Sequence, residues 1–189
     1  NMEIPSLNRA EILLVKSRNK QFENLLSYLN SSDVVDNTCI IKFLNGELEG
    51  NPYFFINSVT SIIQIIKELK KAGYDDHNLY KIICGDNDKN LVKIQKALGQ
   101  KYKIEFTTDP LKRITFCTAT LFEGSDIYDQ DGVTYIVTDG TKDFTKYDVL
   151  TTLPQIIGRL RDSKYKDTVY VIQTKSYYFS YTSIEEFEV

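Results

Sequence analysis

The feature that most constrains this chain is an alternation between two kinds of segment. Short, nearly unbroken apolar runs trade places with stretches whose apolar residues recur every three or four positions. "YFFI" (Tyr53–Ile56), "YKIIC" (Tyr80–Cys84), "ITFCT" (Ile114–Thr118), "TYIVT" (Thr134–Thr138) and "TVYVIQ" (Thr168–Gln173) are of the first kind. Such runs are expected as strands covered on both faces. "ILLV" (Ile12–Val15), "CIIKF" (Cys39–Phe43) and "KIEF" (Lys103–Phe106) extend the series of expected strands. Of the second kind are Val59, Ile62, Ile63, Ile66 and Leu69, a helix that Asn57 and Ser58 can cap and Gly73 can close. Leu91, Ile94, Gln95 and Leu98 repeat the spacing between "GDND" and Gly99, and a further helix is expected around Gln21–Leu29. Strands alternating with helices predict an α/β fold: a mostly parallel sheet flanked by helices in three layers.

The 189 residues suit one domain able to bury a core, with 42% hydrophobic and 26% charged residues as in soluble globular proteins. The pattern is clearest over residues 51–175. Residues 1–50 read as an N-terminal extension or linker packed on that domain, and residues 176–189 as a tyrosine-rich tail. A net charge of −3 provides no global field for nucleic acid, so any such contact has to come from a local patch or a neighbouring domain. No apolar run reaches the roughly 20 residues of a membrane helix. The opening residues carry no signal-peptide pattern. Cys39, Cys84 and Cys117 sit in apolar stretches without metal-ligand spacing, and read as reduced and buried, which suits a cytoplasmic location. His77, in "DDHN", reads as a solvated loop residue.

Two stretches carry the chemistry. In "TTLPQIIGRLR" (Thr151–Arg161), Thr152 and Gln155 have the spacing of a capping box, with Pro154 tolerated in the first turn. Helical geometry places Leu153, Ile156, Ile157 and Leu160 on one apolar stripe and Gln155, Gly158, Arg159 and Asp162 on the opposite face. Arg159 then either pairs with Asp162 one turn on or, beside the small Gly158, faces a ligand. In "CTATLFEGSDI" (Cys117–Ile127) an expected strand ends at Thr118. A loop follows with Thr120, Gly124 and Asp126. Ligands of open α/β sheets bind beyond the carboxyl ends of strands. Asp126 supplies an acceptor suited to a ribose hydroxyl, a metal-bound water or an arginine, or else merely caps a helix.

Together these stretches resemble a family. "TATLFEGSDI" is similar to motif V, "QIIGRLR" to motif VI and "YFFINSVTSIIQIIKEL" (Tyr53–Leu69) to motif IV of superfamily 2 helicases. "IICGD" (Ile82–Asp86) stands where the family has a strand ending in glycine. Order and spacing over roughly residues 50–175 resemble the second RecA-like domain. The GRxR form of motif VI resembles viral and phage replication helicases of the origin-binding type more than DEAD-box proteins.

The resemblance implies a RecA-like, P-loop-NTPase-like fold without the P-loop, since no G-x-x-x-x-G-K-[ST] and no D-E-x-[HD] box occurs in the sequence. It implies ATP with Mg²⁺ as the bound nucleotide, held mainly by an N-terminal RecA-like domain that this sequence does not contain. The chain alone is therefore expected not to hydrolyse ATP. Arg159 corresponds to the arginine finger, with Arg161 as a second finger only if the helix ends or unwinds before it. Gln155, Gly124 and Asp126 correspond to positions that approach the nucleotide. Asn57, Ser58, Thr118 and Thr120 correspond to positions that hold a nucleic-acid phosphate without reading sequence, with DNA the expected strand. The rival reading is a non-catalytic RecA-like docking module. The aromatic tail lends it substance, whereas Arg159 and Asp126 favour the motor. A free-standing nucleotide-binding domain is disfavoured by the missing phosphate-binding glycine loop.

Overall fold

A computed structural model of the chain describes residues 10–16, 37–121, 125–139, 152–166 and 168–174. Its centre is a six-stranded sheet in the order β1-β6-β5-β2-β4-β3. The strands are β1 (Ala10–Lys16), β2 (Asn51–Ile56), β3 (Tyr80–Ile83), β4 (Ile114–Cys117), β5 (Gly132–Asp139) and β6 (Thr168–Thr174). Strands β2 to β6 run parallel, and β1 closes one edge antiparallel to β6, with Leu13 opposite Val171. The helices are α1 (Asn37–Leu44), α2 (Val59–Lys71), α3 (Asp88–Leu98) and α4 (Thr152–Ile157). The three-layer α/β expectation is met.

Alternation along each strand sends successive side chains to opposite faces, and here both faces are apolar. On one, Phe54, Phe116 and Tyr135 pack against Ile40 and Phe43 of α1, Ile62, Ile66 and Leu69 of α2, and Ile94 of α3. The rings of Phe54 and Tyr135 stack at 4.8 Å and the edge of Phe43 meets Tyr135 at 5.7 Å. On the other face, Tyr53, Phe55, Cys117, Ile136 and Val169 pack against Leu121, Ile127, Ile156 and Leu160. This double burial is why the strand sequences are unbroken apolar runs rather than alternating ones.

Local signals set the helix ends. The Ser58 hydroxyl accepts from the Ser61 amide at 3.2 Å to start α2, and Asn87 accepts from the Asn90 amide at 2.9 Å to start α3. Gly73 and Gly99 follow these helices at φ of 100° and 120°, where a side chain is disfavoured.

Two expected strands are corrected. "CIIKF" belongs to helix α1: Cys39, Ile40 and Phe43 are buried together, a helical spacing, and a short apolar run does not distinguish helix from strand. "KIEF" forms no strand. It lies along the edge of β3, contributing one ladder-like bond from the Glu105 amide to the Ile82 carbonyl at 2.8 Å. The loop that follows it is held by Lys81, a buried lysine that donates to the carbonyls of Thr107 (3.4 Å) and Asp109 (2.6 Å). Burial pushes the pKa of that ammonium down. The segment before Asn51 supplies the edge strand β1 and the core helix α1. Arg113 clamps the turn after α1 by donating to the carbonyls of Phe43 (2.7 Å), Leu48 (3.3 Å) and Gly50 (3.4 Å). The helix expected around Gln21–Leu29 and the tyrosine-rich tail lie outside the described residues.

Candidate functional site

Helix α4 ends at Ile157, so the expected helical face joining Arg159 to Asp162 does not form. Beyond it the backbone turns and extends, and Leu160 makes a parallel bridge with Ile127. The Ile127 amide donates to the Arg159 carbonyl at 2.8 Å, and the Arg161 amide to the Ile127 carbonyl at 3.0 Å. In extended chain, side chains two apart share a side. Leu160 therefore enters the core while Arg159 and Arg161 both turn outward, to one acceptor. Asp126 Oδ1 lies 3.1 Å from Arg161 Nε and 3.6 Å from Arg159 Nη1. That oxygen is itself buried and its contacts with the arginines are charge pairs, not aligned hydrogen bonds. The side chains of Arg159, Asp126 and Arg161 are 19%, 30% and 52% exposed, a graded opening from interior to solvent.

Of the partners a carboxylate at position 126 could take, the structure supplies arginine. The surface pairing of Arg159 with Asp162 is replaced by convergence of two guanidinium groups on one carboxylate. Two guanidiniums meeting one carboxylate present planar donors suited to a phosphoryl or carboxylate group. Gln155 is exposed on α4. Gly124 lies outside the described residues.

A residue that sequence reasoning missed holds this segment in place. Asp129 is buried and accepts from Asn51 Nδ2 at 3.1 and 3.0 Å, from the Tyr53 hydroxyl at 2.8 Å and from the Asp131 amide at 3.0 Å. Burial and the adjacent carboxylate raise the Tyr53 pKa well above the usual tyrosine range, so its hydroxyl stays a donor. The one signal in the sequence was the period-2 pattern of "SDIYDQD", in which Ile127 and Asp129 share a side. Nothing in it named Asn51 and Tyr53 as partners.

The second group of candidates lies at the carboxyl ends of neighbouring strands. Phe55 of β2 pairs with Cys117 of β4, so Asn57 and Ser58 leave the sheet beside Thr118 and Thr120. The hydroxyls of Thr118 and Thr120 are 3.5 Å apart. Thr118 is buried and its amide donates to the Ile83 carbonyl at 2.9 Å, whereas Thr120 is exposed. The Ser58 hydroxyl is occupied as the α2 cap. Gly85, at the end of β3, joins this edge, since a Cβ there would lie 3.5 Å from Thr120 Oγ1. The expected residues thus fall into an arginine–aspartate group and a strand-end hydroxyl and amide group.

Among the described residues no helix is long and apolar enough to cross a membrane, and no group of three or more His, Cys, Asp or Glu is placed to hold a metal ion. All three cysteines are buried and unbridged. Comparisons with protein-family models, curated proteins and solved structures returned no match.

Proposed function

We propose that this chain is the second RecA-like half of an ATP-dependent, superfamily 2-type nucleic-acid motor. In this reading it lends Arg159 and Arg161 to a triphosphate held by a separate P-loop half. The single observation that carries the reading is the contact of both guanidinium groups with Asp126. It gives two cations a common, pre-oriented position on the surface, which is what charge stabilisation on a transferring phosphoryl group needs. Bound Mg²⁺ would neutralise phosphate charge in the other half. Here Asp126 aims the guanidiniums and Leu160, locked into the core, fixes their backbone. The strand ends at Asn57, Ser58, Thr118 and Thr120 would border a strand's phosphates, with the exposed Thr120 hydroxyl as the donor, since the Ser58 and Thr118 amides are already given to the Ile56 and Ile83 carbonyls. Closure of the two halves on ATP and reopening after hydrolysis would convert these grips into movement.

The test joins this chain to a P-loop RecA-like half and replaces Arg159 with alanine. ATP binding should persist while turnover falls by about 10³- to 10⁵-fold, the range of other arginine fingers. Unchanged turnover removes Arg159 from the site. A second reading, a docking platform without catalysis, has its own observation: Phe106 and Leu111 are both exposed on the loop bordering edge strand β3. It is favoured if the arginine exchange leaves turnover intact.

A further inference from the structure

Tyr128 is the most exposed large apolar side chain among the described residues, at 71%. It follows Ile127 and precedes Asp129, both buried, so the alternation of an extended chain places it on the outward side with Asp126. The bridge that pairs Ile127 with Leu160 sets the register on either side: Asp126 runs beside Arg159 and Tyr128 beside Arg161. Parallel chains lie about 4.8 Å apart and successive outward residues about 7 Å apart, so the Tyr128 backbone starts within about 7 Å of that of the arginine pair. Its backbone is not free to move, because Asp129 is tied to Asn51, Tyr53 and the Asp131 amide. An exposed aromatic ring on an anchored backbone beside two arginines has only its side-chain torsions to lose on stacking.

We infer that Tyr128 is the stacking platform for the base of a nucleoside triphosphate whose phosphates meet Arg159 and Arg161. The inference rests on the proposed phosphate site and extends it from the phosphates to the base. A ring face reads the face of a base and not its edge, so the site takes any nucleoside triphosphate, purines best because they cover more of the ring.

The experiment uses this chain, titrated with ATP and with inorganic tripolyphosphate and followed by NMR. ATP should bind more tightly than tripolyphosphate. Tyr128→Ala should weaken ATP by about 5- to 150-fold, the span of single base stacks, and leave tripolyphosphate unchanged. Tyr128→Phe should keep the affinity for ATP. Arg159→Ala should weaken both ligands. If Tyr128→Ala binds ATP like the unaltered chain while Arg159→Ala weakens it, the base platform is refuted and the phosphate site stands. If Arg159→Ala changes neither ligand while Tyr128→Ala loses ATP, the phosphate reading fails and the ring alone binds the base. Equal affinities for ATP and tripolyphosphate, or no ATP binding at millimolar concentration, overturn the inference, since a stack plus a guanidinium contact suffices for that range.

Discussion

Asp126 holds Arg161 at 3.1 Å across a parallel backbone bridge made by their neighbours Ile127 and Leu160. The bridge brings together two loops far apart in the chain and turns a helix terminus into a short extended segment. That change of backbone, rather than the identity of any single side chain, makes Arg159 and Arg161 act on one side. Exchange of Asp126 for asparagine should leave stability within about 1 kcal/mol, because the pair is partly solvated. On the proposed motor reading, ATP turnover of this chain joined to a P-loop half should nevertheless fall by about 10- to 100-fold as the guanidiniums lose their aim. Steady-state ATPase assays with a parallel urea titration separate the two effects, and normal turnover would show that the arginines need no such partner.

Asp129 tests how the segment is anchored. Asp129→Asn places an amide against the Asn51 donor and removes charge from three hydrogen-bonded contacts, so urea unfolding should show a loss of about 2–3 kcal/mol. Tyr53→Phe removes one contact and should cost about 1–2 kcal/mol. A neutral result for Asp129→Asn would mean that this buried network does not hold the Asp126 loop.

Two glycines with positive φ should respond differently to alanine. At Gly50 (φ 95°) a Cβ would lie 2.7 Å from Val133 Cγ2 and 2.8 Å from the Asp131 carbonyl, whereas at Gly73 (φ 100°) nothing lies within 4 Å. Gly73→Ala should cost about 1 kcal/mol from backbone strain alone. Gly50→Ala should cost about 3 kcal/mol, with overpacking added. Equal midpoints in thermal denaturation would show that the approach of Gly50 to β5 is not tight.

Two of the buried groups that make stability sensitive to alkali are Cys84 and Tyr102. Burial pushes the Cys84 thiol up to about 11 from 9.0 and the Tyr102 hydroxyl up to about 12 from 10.0. In the unfolded chain both release protons first, so the folded state binds more protons through these windows and stability falls as pH rises. The share of the loss due to these two groups should begin near pH 9 and be complete by about 12. Cys84→Ala should flatten the dependence between pH 9.0 and about 11, as followed by urea midpoints at successive pH values. An unchanged slope would remove Cys84 as a cause.

Much of the scaffold was legible in the chain because its signals are local. The unbroken runs of β2 to β6, the Ser58 cap and the glycines after α2 and α3 each act through neighbours in sequence. Where the local signal is degenerate it misled. "CIIKF" is apolar enough for either helix or strand, and only burial of Cys39, Ile40 and Phe43 against Tyr135 and its neighbours decided for helix. "KIEF" has strand composition, yet Lys81 draws the carbonyls that follow it into a loop.

For the candidate site, the sequence by itself determined which residue types stood available: two arginines after a glycine, and an aspartate in a loop following a strand. Only tertiary structure decided that Arg159 and Arg161 share a side and that Asp126 meets both. The physical reason is the bridge between Ile127 and Leu160, which exists because both side chains are buried in the same core face. Periodicity within one segment describes that segment's own faces. It carries no information on which distant backbone will pair with it and change the period from helical to extended.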